Sequence, residues 1–170
     1  MAEVEQAKRV TWIRSVLAQY EGPLTGYAAR ITGDAESARD VVQEVFLQLC
    51  RQEQAELNGR VAPWLYAVCR NHALDVARKS GRVTTLGETD RIDGDDRDPA
   101  TVVESREGAG RIAEMLTRLP DNQQDVIHLR FQHGLSYKEI AEVTRLSVSN
   151  VGYLMHTGLK AIREGLKDQD

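Results

Sequence analysis

The segment spanning residues 136–163, SYKEIAEVTRLSVSNVGYLMHTGLKAIR, constrains the fold of this chain more than any other stretch. Ser136 and Glu139 have the spacing of a capping box, in which the serine hydroxyl accepts from the third residue's N–H and the glutamate reaches back. Helical periodicity breaks after Thr144 and restarts at Ser147, a second N-cap candidate. A very short helix, a tight turn and a longer helix are typical of a helix-turn-helix, with an ordinary helical hairpin as the alternative.

The longer helix of this pair separates an apolar face from a polar one. Apolar residues recur at helical spacing, at Val151, Leu154, Met155, Leu159, Ile162 and Leu166. The start of the helix and its opposite face supply the candidates for contact with DNA: Ser147, Ser149, Asn150, Tyr153, His156, Lys160 and Arg163. Early residues of a recognition helix reach base edges, which makes Ser149, Asn150 and Tyr153 the candidates for base readout. Lys160 and Arg163 come late in the helix and suit phosphate contact.

The rest of the chain also follows helical spacing. A first helix is predicted around Val10–Tyr20, stopped by Gly22-Pro23, and a second around Leu24–Ile31, ended by Gly33. A third is predicted around Ala38–Leu49, with Asp34 as its cap. A fourth runs from Val61 to Val76, with Pro63 in its first turn. A polar loop covers residues 52–60. Two more helices precede the helix-turn-helix, one ending at Pro120 and one capped by Asp121. No strand alternation occurs, so the predicted fold class is all-α.

An acidic stretch divides these helices into two groups. Residues 88–107 carry a net charge of −5 and contain glycine and proline without a sustained apolar period, which is typical of a linker. The whole chain has a net charge of −4, so the remainder sums to +1. We therefore predict two small four-helix domains, residues 8–83 and 109–168, joined by a flexible acidic linker at residues 84–108.

Several classes of protein are disfavoured by the sequence. No apolar run approaches the roughly 18 residues of a membrane span, and the first residues lack the apolar region of a signal peptide, so we expect no membrane partner. Cys50 and Cys69 each lie on a predicted apolar helical face, which favours a reducing cytoplasm over a disulfide framework. A helical metal-dependent hydrolase using His72 and Cys69 is disfavoured because no metal-ligand spacing or phosphate loop occurs. We expect no metal and no cofactor.

Three segments together resemble one known family. DAESARDVVQEVFLQLC, VAPWLYAVCRNHALDVARK and LPDNQQDVIHLRFQHGLSYKEIAEVTRLSVSNV stand in this order. They resemble the sigma-70 superfamily of bacterial transcription initiation factors, and most of all its extracytoplasmic-function group, which keeps only the second and fourth sigma domains. The resemblance covers nearly the whole chain. It implies a factor that is not itself an enzyme, with core RNA polymerase and promoter DNA as partners and an anti-sigma factor as a further candidate.

The resemblance assigns polymerase docking to the polar face of the helix around Ala38–Leu49. In this sequence that face offers Asp40, Gln43, Glu44 and Gln48, spaced three to four residues apart. Without the family, a solvated helix face would be the preferred interpretation of the same pattern.

The helix that follows corresponds to the family segment that opens and reads the −10 promoter element. Unstacked bases need aromatic and polar surface, and their backbone needs cations. The candidates are Arg60, Tyr66, Arg70, Asn71, Arg78, Lys79 and Arg82, of which Asn71 matches a family position implicated in contacts to the non-template strand. We expect Trp64 in the core and His72 at the surface.

The helix-turn-helix corresponds to the family segment that binds the −35 element, with departures. Many relatives have Thr-Val-Lys where this chain has Asn150-Val151-Gly152, and arginine where it has Thr157. Arg145 replaces a glycine that often closes the turn, and a left-handed conformation there would be strained. The acidic linker in the family threads positively charged channels of polymerase, and a simple solvated tether remains the alternative. A stand-alone helix-turn-helix regulator is the competing function, but it needs neither the docking face nor the −10 segment.

Overall fold

The computed structural model describes residues 1–81 and 106–168, all of whose regular structure is helical. The elements are α1 (Ala2–Thr32), α2 (Ala35–Leu49), α3 (Val61–Lys79), α4 (Arg106–Arg118), α5 (Asp121–Phe131), α6 (Tyr137–Thr144) and α7 (Val148–Lys167). They form two compact units, one of α1–α3 and one of α4–α7. The predicted all-α class is confirmed. None of the described helices has the length and apolar character that a membrane span requires.

Helix α1 is continuous where the sequence predicted two helices. Pro23 lies inside it and is exposed together with Gly22. Proline removes one backbone hydrogen bond and crowds the carbonyl four residues earlier, a cost that here falls on the solvent side of the helix. Directly afterwards Leu24, Tyr27 and Ala28 are fully buried, and their packing keeps the helix going. The first unit therefore has three helices, and the prediction of a stop at Gly22-Pro23 is wrong.

Helix α2 follows its sequence pattern closely. The Asp34 side chain accepts a hydrogen bond from the Ser37 N–H at 2.8 Å and so starts the helix, as predicted. Every member of the predicted apolar stripe is buried: Ala38, Val41, Val42, Val45, Phe46 and Leu49. Beyond the helix, Arg9 of α1 donates to the carbonyl oxygens of Cys50 and Gln52 at 2.6 and 3.1 Å. This guanidinium ties the end of α2 to α1. Cys50 is exposed, so the prediction that it lies on an apolar helical face is wrong.

Helix α3 begins at Val61 with Pro63 in its first turn, as predicted, after turns over residues 50–60. It packs its small residues, Ala73 and Ala77, and Cys69 completely out of solvent. The aromatic centre of the unit is an edge-to-face pair of Tyr27 and Tyr66 with ring centroids 5.4 Å apart.

The second unit contains the predicted helix-turn-helix as α6 and α7. The capping box is present, with Ser136 accepting from the Glu139 N–H at 3.2 Å and the Glu139 carboxylate accepting from the Ser136 N–H at 3.1 Å. Arg145 ends α6 in the left-handed region, the conformation that would be strained at this residue. Ser147 starts α7 by accepting from the Asn150 N–H at 3.1 Å. One predicted cap is wrong, because α5 has Pro120 as its N-cap and Asp121 is its first helical residue.

Two glycines of α7 face very different surroundings. A Cβ on Gly158 would lie 2.8 Å from Ile127 Cδ1 and 3.4 Å from Gln123 Cβ, so α5 and α7 approach each other closely there. A Cβ on Gly152 would meet nothing nearer than Tyr137 Cε2 at 4.0 Å. Gly158 therefore serves packing, whereas Gly152 has no steric reason to be glycine.

These surroundings predict opposite consequences for the same substitution. Gly152→Ala should raise the free energy of unfolding of the second unit by about 1 kcal/mol, the helix-propensity difference between the two residues. Gly158→Ala gains the same propensity but forces Ile127 to move, and we expect it to be the less stable variant. Urea unfolding of the two full-length variants, followed by helical circular dichroism, makes the comparison. Equal gains would show that α5 and α7 are not in close contact at Gly158.

Candidate nucleic-acid and docking surfaces

The outward side of α2 presents a mixed polar and apolar surface. Asp40 and Gln43 are exposed and Glu44 is half-buried. Leu47, one turn beyond Gln43, leaves 52% of its surface in solvent although it is aliphatic. We call Asp40, Gln43, Glu44 and Leu47 the α2 face. Leu47 was not predicted, because only polar residues were considered for this face. An apolar residue outside the buried stripe is the pattern that could have identified it.

Gln48 does not join the α2 face in the way the sequence predicted. It is half-buried, and its Nε2 lies 2.6 Å from Nε2 of His72 on α3. An amide nitrogen only donates, so Gln48 is the donor and Nε2 of His72 is the acceptor in this hydrogen bond. His72, which was expected at the surface, is half-buried as well. This bond links the polar edge of α2 to α3.

Helix α3 carries a second outward surface. Arg60, Trp64, Asn71 and Arg78 follow one another at steps of four and seven residues and so share one side of the helix. We call these four residues the α3 stripe. Asn71 and Arg78 are exposed, and Trp64 is half-buried. Arg78 pairs with Asp75 at 3.3 Å, a contact between exposed side chains that leaves the guanidinium accessible.

The remaining −10 candidates are dispersed around α3. Tyr66 is 1% exposed, so the prediction that it offers a surface to bases is wrong. Arg70 is half-buried and lies about 100° around the helix from Asn71, off the stripe. Lys79 is exposed at the end of the helix. Arg82 lies outside the described residues.

Burial perturbs two titratable groups beneath the α3 stripe. It raises the pKa of the Cys69 thiol from its ordinary 9.0 to about 12. Burial is also the largest cause that raises the pKa of Tyr66 above its ordinary value of 10.0, with smaller contributions from Tyr20 and Cys69. Both groups stay protonated in the folded unit and are structural. Their neutral forms fit a core that holds α3 in place.

Helix α7 presents the third surface. The side chains of Ser149, Asn150, Tyr153 and His156 are exposed, and we call these four residues the α7 face. Tyr153 is 67% exposed and Val148, the first residue of the helix, is 50% exposed. Ser147 is exposed too, but its hydroxyl oxygen is engaged as the N-cap acceptor. Val148 was not predicted, because the sequence analysis looked for polar contacts at the start of the helix.

The two predicted phosphate-binding cations of α7, Lys160 and Arg163, lie in its second half and make contacts within the helix. Lys160 Nζ is 3.9 Å from a carboxylate oxygen of Glu164, and Arg163 Nε donates to the Leu159 carbonyl at 3.3 Å. Both side chains are exposed, so these contacts are weak and can give way to a phosphate. Within the described ranges no group of three or more histidine, cysteine or acidic side chains could hold a metal ion.

Family profiles match both units. The profile described as "Sigma-70 region 2" covers residues 16–83, which include α2 and α3. The profile described as "Sigma-70, region 4" covers residues 109–162, which include α5 and α6 and most of α4 and α7. The two profiles therefore span the elements that carry all three surfaces.

Characterised relatives resemble the chain over most of its length. An ECF RNA polymerase sigma factor, SigE of Mycolicibacterium smegmatis, is 28% identical over 166 residues, which is 95% of this chain and 64% of that protein. The chain thus spans somewhat less than two thirds of that relative. The ECF RNA polymerase sigma factor SigW of Bacillus subtilis is 28% identical over 160 residues, 88% of this chain and 86% of the relative.

A solved structure shares the fold. The sigma factor RpoE of Bartonella quintana, crystallised with the anti-sigma factor NepR, superposes with a TM-score of 0.61 at 18% identity. The match covers 91% of this chain and 96% of that one. Together with the family profiles, it supports the all-helical fold that the sequence predicted.

The raised pKa of Cys69 predicts how stability depends on pH. Below pH 9 the thiol is neutral in both the folded and the unfolded chain. Between pH 9 and about 12 the unfolded chain releases the proton and the folded chain keeps it, so the free energy of unfolding falls as pH rises. The slope attributable to this thiol is at most about 1.4 kcal/mol per pH unit. Cys69→Ala should flatten the alkaline slope in urea unfolding, whereas Cys50→Ala, at an exposed position, should leave it unchanged. An unaltered slope in Cys69→Ala would contradict burial of the thiol.

Proposed function

The chain belongs to the sigma-70 family of RNA polymerase sigma factors, in its extracytoplasmic-function group, and from this premise we propose how its two units share the work of transcription initiation. It binds core RNA polymerase, directs it to promoters and helps to open them, without catalysing a reaction itself. The observation that carries this function is the match of regions 2 and 4, in order, to the two helical units. A stand-alone regulator would need only the helix-turn-helix. The cytoplasm, where polymerase works, is the compartment that follows.

The α2 face is the proposed docking surface for core polymerase. It combines two acidic residues, an amide and an exposed leucine on one side of a helix whose opposite side is buried. An exposed aliphatic side chain framed by polar groups is the composition expected at the centre of a protein interface. Gln48 supports the surface from its edge through His72. The sequence assignment of Asp40, Gln43 and Glu44 is kept in this proposal, and Leu47 is added.

The α3 stripe is the proposed surface for the opened −10 element. Asn71 offers an amide that can donate to and accept from a base, and the ring of the half-buried Trp64 can stack on one. Arg60 and Arg78 flank them on the same side of the helix and suit the phosphates of a single strand. Lys79, with Arg70 and Arg82 as further candidates, adds positive charge towards the end of the helix. Trp64 takes the aromatic role that the sequence gave to Tyr66.

The α7 face is the proposed surface for duplex DNA at the −35 element. Ser149, Asn150 and Tyr153 lie in the first half of the helix, where recognition helices meet base edges. Lys160 and Arg163 follow on the phosphate side. Few cations mean modest affinity by this unit alone, so polymerase, by holding both units at once, would supply the effective concentration that binding needs.

We propose domains at residues 8–83 and 109–168 with a linker at 84–108, and an anti-sigma factor as the regulatory partner.

One experiment tests the function as a whole. The purified chain, mixed with core RNA polymerase, should co-elute with it in size-exclusion chromatography and allow RNA synthesis to start at defined sites on genomic template DNA. Core polymerase alone should give no such defined starts. Sequence-specific DNA binding without any association with polymerase would replace this function with that of a stand-alone regulator.

The docking proposal predicts a separation of binding from stability. A variant with Asp40→Lys and Leu47→Lys should lose co-elution with core polymerase, because it reverses a charge and places a second cation at the centre of the α2 face. Both positions are exposed, so the melting temperature should correspond to a stability change of about 0.5 kcal/mol per substitution or less. Glu21→Lys, an exposed charge reversal on α1, is the matched control and should still co-elute. A double variant that still binds would remove the α2 face from the docking surface.

The −10 proposal predicts a defect confined to promoter opening. Asn71→Ala should reduce the permanganate reactivity of thymines in the transcription bubble several-fold and leave co-elution with core polymerase intact. The reason is that Asn71 lies on α3, away from the α2 face, and its exposed side chain contributes little to the core. Asn122→Ala, an exposed asparagine on α5, serves as the control. Unchanged bubble reactivity in Asn71→Ala would show that the amide makes no contact needed for opening.

A further inference from the structure

The turn between α6 and α7 contains a residue in an unfavourable conformation. Arg145 has φ 59° and ψ 29°, and within residues 1–81 and 106–168 it is the one non-glycine residue with a positive φ. The other positive-φ positions of these ranges are glycines: Gly33, Gly59, Gly81 and Gly134. An L-residue with a long side chain adopts this conformation at a several-fold cost in the folding equilibrium constant, which glycine avoids.

Nothing in the described part of the chain compensates for this cost. Arg145 is exposed, and its guanidinium has no hydrogen bond, ion pair or ring contact with another described residue. Other exposed arginines do have partners: Arg118 pairs with Glu114, Arg78 with Asp75 and Arg130 with the ring of Tyr137. A strained residue whose side chain is unused within the fold points to a use outside it.

The position of Arg145 indicates what that use is. It lies two residues before Ser147, the N-cap of α7. Residues 148–159 contain no lysine or arginine, so the base-facing half of α7 has no cation of its own. When the start of a recognition helix enters the major groove, the turn before it comes close to the sugar-phosphate backbone that borders the groove. Arg145 therefore supplies positive charge at the end of α7 where Lys160 and Arg163 cannot.

We propose that Arg145 binds a phosphate of the DNA duplex beside the start of α7. The proposal rests on the proposed function of α7 as the −35 reader, and adds to it a contact at the helix start. A guanidinium suits this role because its parallel N–H groups match two phosphate oxygens. On this account Arg145 lowers the stability of the free protein and raises its affinity for duplex DNA.

The first experiment measures duplex binding by the full-length chain. The probe is a fluorescent 30-base-pair duplex of random sequence, because a phosphate contact is independent of sequence, and anisotropy is recorded at several low salt concentrations. Arg145→Gly and Arg145→Asn, whose backbones accept the turn, should bind about five- to tenfold more weakly than the original chain. Their log–log salt slopes should be smaller in magnitude by about 0.9, the value for one lost phosphate contact. Arg145→Lys should retain most of the affinity and the slope.

A matched control separates a contact from a change in net charge. Arg118→Gln removes one exposed positive charge from the same unit, on α4. If Arg145→Asn binds the duplex no more weakly than Arg118→Gln does, with the same salt slope, the proposal is overturned. Urea unfolding gives a second readout, since Arg145→Gly should lower the unfolding equilibrium constant of the second unit about fivefold. Gain of stability together with loss of DNA affinity is the result that a purely structural arginine would not produce.

The phosphate contact of Arg145 and the sigma-factor function can be refuted independently of each other. Co-elution with core polymerase should be the same for the original chain and for all Arg145 variants, because the α2 face is untouched. A chain that never co-elutes would refute the sigma-factor function, while the duplex measurements would still decide whether Arg145 contacts phosphate. Normal co-elution combined with duplex binding that is indifferent to Arg145 would refute the contact alone.

Discussion

The hydrogen bond between a cap side chain and a backbone N–H is the interaction on which the α2 face and the α7 face depend. Asp34 starts α2, Ser136 starts α6 and Ser147 starts α7 in this way. Each residue of a helix is rotated by about 100° from its neighbour, so the first residue sets which side chains face outward. A start displaced by one residue would shift the end of α2 against the Arg9 guanidinium and the start of α7 against the turn at Arg145. The caps therefore define locally where α2 and α7 begin and which residues face outward.

This local control explains how much of the structure could be predicted. The caps at Asp34, Ser136 and Ser147 and the apolar stripe of α2 depend on neighbouring residues, and all were predicted correctly. On α7 most of the predicted stripe is buried, but Leu159 and Leu166 are half-buried. The continuity of α1 was not predicted, because Pro23 is a local signal that ends most helices. Whether a helix survives it depends on the packing of Leu24 and Tyr27 against residues far along the chain.

The errors at the candidate surfaces have a related origin. On α3 the sequence pattern placed Trp64 in the core, whereas Trp64 is half-buried and Tyr66 is buried. Tyr66 then appeared outward although its ring packs on Tyr27. On α2 the opposite error occurs. The apolar Leu47 is exposed, and the polar Gln48 is hydrogen-bonded to His72. A single sequence gives the type of each residue. Which residue it contacts across the core depends on tertiary packing.

Two features of the second unit lower its stability as an isolated domain. Gly152 lowers helix propensity without a steric reason, and Arg145 holds a left-handed turn that glycine would hold at lower cost. Both lie at the end of α7 that the family function directs towards DNA, whereas Gly158, which packing requires, lies away from it. A module that bound promoters tightly by itself would occupy them without polymerase, which a specificity subunit must avoid. On the proposed assignment of docking to α2, weak DNA binding by α7 becomes sufficient only when polymerase holds both units, which links promoter recognition to the enzyme.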